Sequence, residues 1–279
     1  MKKLCSLVIC VMTLLFAGCE PIPPEVIGVF SVSATKQVTF SPGNLQYRPA
    51  NNKWRFAENQ WDYIGTDNVT GGSVYPYQDD GDEKRGDALA NKIDIFGWST
   101  SSTNFGVSTS TSSSDYSGSF VDWGTNKIGN DAPNTWRTLT LDEWDYVVFN
   151  SPNASSLKGV AQVNGVNGLI LLPDSWICPA GVTFKSGFYS NYGVDYYAAY
   201  QTFTAAEWSK LEAAGAVFLP ASGYRLGSLV GSVRGSGYYW SATEIDGDYA
   251  YFLYFRSDVA DMYDSNRYYG KSVRLVKDL

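Results

Sequence analysis

Residues 140–149 read Thr-Leu-Asp-Glu-Trp-Asp-Tyr-Val-Val-Phe, and this stretch decides the fold class. A Thr followed three places later by Glu, ahead of an apolar run, is a capping box, in which each side chain satisfies an amide the other's backbone leaves open. Trp144, Val147 and Val148 then fall on one helical face, so the spacing predicts a helix over 141–149. The same punctuation returns at Thr204-Ala205-Ala206-Glu207, with Trp208 and Leu211 inward and Gly215 as a stop, which predicts a second helix over 205–214. The rest reads as strand and loop. Short apolar runs around Val29, Phe30, Val32, Val38 and Phe40, at Trp54-Arg55-Phe56, at 168–172 before Pro173 and at 216–219 before Pro220 are separated by turns such as Ser41-Pro42-Gly43-Asn44. Two helices in a β-rich, loop-rich chain imply an α+β fold.

Working outward to the start of the chain, Lys2 and Lys3 precede an apolar run over 4–16 that is too short to span a membrane, the pattern of an export signal. Ala17-Gly18-Cys19 then resembles the lipobox of bacterial lipoproteins, with Phe16 where that motif usually has Leu. The expectation is a signal peptide over 1–18, lipidation at Cys19 and a Pro-rich tether over 19–27 that places the protein at the outer membrane or cell surface. About 260 residues remain, enough for a full core. A β-rich part over 28–134, with a Ser/Thr-rich exposed loop over 99–119 anchored by Trp98, Phe105, Phe120 and Trp123, is read as belonging to the same domain as 135–279.

Composition excludes several function classes. The net charge is −7 with no basic cluster, which argues against nucleic acid as a partner. The chain has no His and only four Cys, three of which lie in or next to the export signal. No internal disulfide is therefore open to the mature chain, and nine Trp with fourteen Phe must supply the core. Cys178, in Trp176-Ile177-Cys178-Pro179, lacks a His to ionise it and is read as a small buried residue rather than a nucleophile. Asp142 and Glu143 are adjacent in a helix and point apart, and Glu143 is already used in the cap, so they are not read as a hydrolytic pair. The acidic run Asp79-Asp80-Gly81-Asp82-Glu83 lacks the spacing of a calcium loop and is read as solvated. No enzyme activity, cofactor or metal is expected.

Four segments carry a resemblance. Trp136-Arg137-Thr138-Leu139-Thr140-Leu141-Asp142-Glu143-Trp144 is similar to a W-R-L-P-T-x-x-E-W signature, with Thr138-Leu139 in place of Leu-Pro. Leu219-Pro220-Ala221-Ser222-Gly223-Tyr224-Arg225, Tyr239-Trp240-Ser241-Ala242-Thr243-Glu244 and Ser272-Val273-Arg274-Leu275-Val276-Lys277-Asp278 follow in the matching order. Together they resemble the bacterial major paralogous domains (FISUMP type), many of them surface lipoproteins of gut Bacteroidales. The resemblance covers 135–279. It implies a C-type-lectin-like fold, shared with formylglycine-generating enzymes and with the variable proteins of diversity-generating retroelements. In that fold the termini pair and the last strands and loops form the ligand face. The retroelement proteins carry their variable residues, typically Tyr, Asp, Ser and Asn, in such a C-terminal segment. The calcium-dependent sugar motifs of animal lectins are absent from this sequence, as is the second active-site cysteine of the formylglycine-generating enzymes.

The tail over 235–279 has the same vocabulary: eight of the twenty Tyr lie between Tyr238 and Tyr269, among Asp, Asn, Ser and Arg. Such residues make adaptable recognition surfaces. Strand alternation places Tyr251, Leu253 and Phe255 on a core face and Phe252, Tyr254 and Arg256 on a display face. The expected ligand-binding set over 235–271 is Tyr238, Ile245, Asp248, Tyr249, Phe252, Tyr254, Arg256, Asp258, Asp261, Tyr263, Asp264, Asn266, Tyr268 and Lys271. Its expected ligand is a protein or a glycan. The alternatives are a fixed-partner adhesion or assembly component of the envelope or a pilus and, third, a cryptic enzyme of the formylglycine-generating type.

Overall fold

Both capping boxes close. Thr140 Oγ1 accepts the Glu143 amide at 3.3 Å while a Glu143 carboxylate oxygen accepts the Thr140 amide at 3.0 Å. Thr204 and Glu207 repeat the exchange at 3.2 and 2.8 Å. The computed structural model describes residues 28–68, 73–74 and 92–279. Cys19, the signal, the Pro-rich tether and the acidic run over 79–83 lie outside the described residues. The helices are α1 (Leu141–Asp145), α2 (Asp195–Tyr200) and α3 (Ala205–Ala213). α1 runs on as a π-helical turn over Tyr146–Asn150, which buries Val147 and Val148 as the spacing predicts. α3 ends at Gly215, whose φ of +92° suits a residue without a side chain. Among the described residues no helix is long and apolar enough to cross a membrane.

The sheets tie together segments far apart in the chain. One four-stranded sheet runs in the order Phe30–Ser31, Gln37–Phe40, Leu275–Asp278, Arg137–Thr138, so an early strand and the last strand are antiparallel neighbours, with Val276 opposite Phe40. A second is ordered Thr202–Phe203, Lys158–Val163, Val166–Leu171, Val217–Pro220. A five-stranded sheet is ordered Val259–Asn266, Tyr249–Arg256, Ser236–Glu244, Lys271–Ser272, Ile95–Phe96. Strands from the part before 134 thus complete sheets built by the part after it: Lys271 pairs with Phe96, and Val230 with Val74. The molecule is mostly β with few helices, the α+β class.

Large aromatic side chains supply much of the core. Trp98, Trp123, Trp144, Trp208 and Trp240 are fully buried. Burying a large apolar side chain contributes on the order of 2–3 kcal/mol. The five-stranded sheet is covered on both faces. Tyr239, Leu253 and Phe255 pack with Phe40, Trp144, Val160 and Leu219. On the opposite face Trp240, Ala250 and Phe252 pack with Trp54, Phe96, Trp98 and Trp123. The loop over 99–119 is held by its expected anchors and also by Tyr116, which is buried and donates its hydroxyl to the Ser108 and Ser110 carbonyls.

Candidate ligand-binding face

The hairpin of Ser236–Glu244 and Tyr249–Arg256, extended by Val259–Asn266, brings the expected residues into register. Tyr238 lies opposite Tyr254, and Tyr254 opposite Asp261. Trp240 lies opposite Phe252, and Phe252 opposite Tyr263. Directly opposed residues in an antiparallel pair share a face. Their rings touch: centroids are 5.1 Å apart for Tyr238 and Tyr254, 5.5 Å for Tyr254 and Tyr263, and 5.9 Å for Tyr238 and Phe252. Two tyrosines outside the expected set extend the surface. Tyr224 lies 5.3 Å from Tyr238 and 5.9 Å from Tyr269, and Tyr269 stacks on Tyr268 at 5.2 Å. Tyr263 is 48% exposed, while Tyr224, Tyr238, Tyr254, Tyr268 and Tyr269 are half-buried. Tyr224 hides in the sequence behind a motif, Gly223-Tyr224-Arg225, that reads as scaffold.

Alternation separates the faces as expected, but Phe252 is a correction. It is 6% exposed, packed among Tyr238, Trp240, Tyr263 and Lys271 in a cluster that also holds Phe96, Trp98 and Trp123. Tyr251, expected in the core, is half-buried, while Leu253 and Phe255 are fully buried. Lys271 is the second correction: it is 2% exposed and lies beneath the face rather than on it. Cys178, expected to be buried, is exposed.

The remaining expected residues fall into separate places. Asp264 and Asn266 lie opposite Tyr251 and Tyr249, on the other face of the sheet. Ile245, Asp248 and Tyr249 are exposed at one end of the hairpin, where an Asp246 carboxylate oxygen accepts the Asp248 and Tyr249 amides. Buried Arg267 clamps this turn through Glu244 at 2.5 Å and through a contact with the Asp246 carbonyl, while its guanidinium covers Trp98. At the opposite end Arg256 grips Asp258 at 2.6 and 3.2 Å and stacks over the exposed Tyr192 ring. Ser257 ties that end to a second tyrosine pair: its carbonyl accepts the Tyr189 amide, and Tyr189 stacks on Tyr196 at 4.6 Å.

Burial pushes the Tyr238 hydroxyl far above its ordinary range, so it stays protonated and able both to donate and to accept. The arrangement offers ring faces for stacking, hydroxyls for hydrogen bonds and, at Asp261, an exposed carboxylate acceptor.

Residues 201–276, which carry most of this face, match a family described as Domain of unknown function (DUF8237). Searches of curated proteins and of solved structures return no match to the chain.

Proposed function

We propose that this protein is a non-enzymatic ligand-binding lipoprotein, tethered through Cys19 at the outer membrane or cell surface, that presents the tyrosine face over 224–269 to a ligand. The observation that carries the reading is the unbroken run of rings from Tyr268 through Tyr269, Tyr224, Tyr238 and Tyr254 to Tyr263. Single exposed aromatics are ordinary on a protein surface, whereas a contiguous patch marks an interaction site. Tyrosines give such a patch area at little cost in side-chain order, with a hydroxyl on each ring. The pairing of Gln37–Phe40 with Leu275–Asp278 supports the C-type-lectin-like reading, in which the termini meet.

A combined glycan and protein array tests the face, comparing wild type with the Tyr254→Ala/Tyr263→Ala double variant after both are checked for cooperative unfolding. Loss of the bound spots in the variant is expected; unchanged binding would sink the assignment. A separate genomic observation tests whether the face is diversified by a retroelement. That origin requires a nearby reverse transcriptase gene and a near-copy of the tail's coding sequence differing only at adenines. An invariant tail with no such template assigns the face to one fixed partner of the envelope instead.

A further inference from the structure

Lys271 is a buried amine with no carboxylate partner among the described residues. Its Nζ lies 4.1 Å from the ring centroid of Phe252 and 4.5 Å from that of Trp240, both buried. It lies 5.2 Å from the Tyr269 ring and 5.7 Å from the Tyr238 ring, both half-buried. Burial pushes the amine well below its ordinary range. Other buried cations have oxygen partners: Arg274 reaches Gln60 at 2.6 Å, Arg267 reaches Glu244, and Lys158 reaches the Ala154 carbonyl at 3.2 Å. The cage therefore has a floor, Phe252 and Trp240, and a roof, Tyr238 and Tyr269, and the roof rings belong to the tyrosine face.

Ring quadrupoles return only part of what an ammonium loses on leaving water, and a carboxylate held in the same dry setting would return more. We infer that Lys271 is the anion-binding floor of the tyrosine face, and that the ligand is a carboxylate-bearing sugar whose acid group enters between Tyr238 and Tyr269 to meet Nζ. The inference rests on the reading of this face as a ligand surface. A uronic-acid-type pyranose matches every part of it. Its apolar ring face stacks on Tyr254 or Tyr263, its hydroxyls donate to Asp261, and its carboxylate supplies the missing counterion. An acidic peptide matches less well, since it offers neither an apolar ring face for Tyr254 or Tyr263 nor ring hydroxyls for Asp261.

Protein labelled with ¹⁵N-lysine, with the Lys271 Nζ resonance assigned through Lys271→Arg, is titrated with D-glucuronate, D-glucose and N-acetylglutamate. D-glucuronate is expected to move the Lys271 resonance saturably while D-glucose leaves it in place. Lys271→Met is expected to weaken D-glucuronate binding at least tenfold by calorimetry, with Lys271→Arg retaining it should the Met variant unfold. A silent Lys271 resonance, or the same shift with D-glucose, overturns the anion site. A shift with N-acetylglutamate as large as with D-glucuronate overturns the assignment to a sugar. The Tyr254→Ala/Tyr263→Ala variant separates this inference from the reading beneath it. Array binding lost there while wild-type Lys271 ignores D-glucuronate removes the anion site alone. Array binding unchanged while Lys271 responds removes the tyrosine face alone.

Discussion

Arg137 and Glu143 meet in a two-pronged pair, Nη1 to Oε2 at 2.6 Å and Nη2 to Oε1 at 2.8 Å. Arg137 also grips Asp278 through Nε at 3.0 Å and Nη2 at 2.7 Å. One guanidinium thus joins the first turn of α1 to the last strand, and the carboxylate it holds is the same one that caps the helix. Glu143→Gln keeps a capping acceptor but removes the charge, and is expected to lower unfolding stability by roughly 1–3 kcal/mol at neutral pH. Burial by itself would raise the Glu143 pKa. Arg137, the Thr140 amide and Lys36 outweigh it together, so the pKa is lowered in the folded state. The stabilisation is therefore present above the ordinary glutamate pKa and lost as pH falls through the lowered one. Urea midpoints at pH 7 should separate the two proteins, and those at acid pH should converge; a gap that persists in acid would place the effect elsewhere.

Asp94 acts in the opposite direction. It is fully enclosed, and burial raises its pKa to about 7 despite hydrogen bonds from Asn68 and the Ile64 amide. A folded pKa above the unfolded one means the folded state holds the proton more tightly. Stability is then full below the unfolded value and declines as pH rises toward about 7. The decline attributable to this carboxyl should be roughly 1–4 kcal/mol between pH 4 and pH 8. Denaturant titrations across that range should show it in wild type and a flatter profile in Asp94→Asn. An unchanged slope in the variant would mean the charge is tolerated where it sits.

Gly237 lies opposite Phe255, and a Cβ there would stand 2.1 Å from the ring's Cζ. Phe255 is fully buried, so the ring has nowhere to retreat. Gly237→Ala is expected to cost about 1–3 kcal/mol through overpacking. Because Gly237 is next to Tyr238, the same substitution should disturb the tyrosine face, read as lost near-ultraviolet dichroism from tyrosine. A variant as stable as wild type would show that the sheet can shift to accommodate it.

Cys178 is exposed, with its thiol only 3.5 Å from the Val182 carbonyl as a weak partner. Its peptide should be alkylated by iodoacetamide in the native protein, as mapped by mass spectrometry, and Cys178→Ser should change stability by less than about 0.5 kcal/mol. Protection of this thiol until the protein is unfolded would contradict the exposed placement.

The capping boxes at Thr140 and Thr204 were legible because each is a local device whose partners lie three residues apart. α2 was not, because its start at Val194 has no side-chain cap and Asp-Tyr-Tyr-Ala-Ala-Tyr has weak helical character. Period-two alternation assigned Leu253 and Phe255 to the core, yet alternation alone provides for one buried face. Phe252 joins a buried cluster with Phe96, Trp98 and Trp123, and no local pattern announces a core assembled from so far away in sequence. Lys271 reads as surface because a lysine is seldom fully buried; its cage of rings is assembled from two strands and a turn. Tyr224 joins the face by the same long-range route.

The Leu275–Asp278 strand fills the gap between Gln37–Phe40 and Arg137–Thr138, and the Leu279 amide donates to the Gln37 carbonyl at 3.1 Å. Both of its neighbours precede it far upstream in the chain, so this sheet closes only when the Leu275–Asp278 strand docks. Until it does, two strands made much earlier keep open edges and Val38 and Phe40 lack their cover. An interrupted product short of these residues is left with the sticky edges and bare apolar side chains by which proteases and chaperones recognise unfinished work. Docking this one strand and closing the sheet are, for this molecule, a single event.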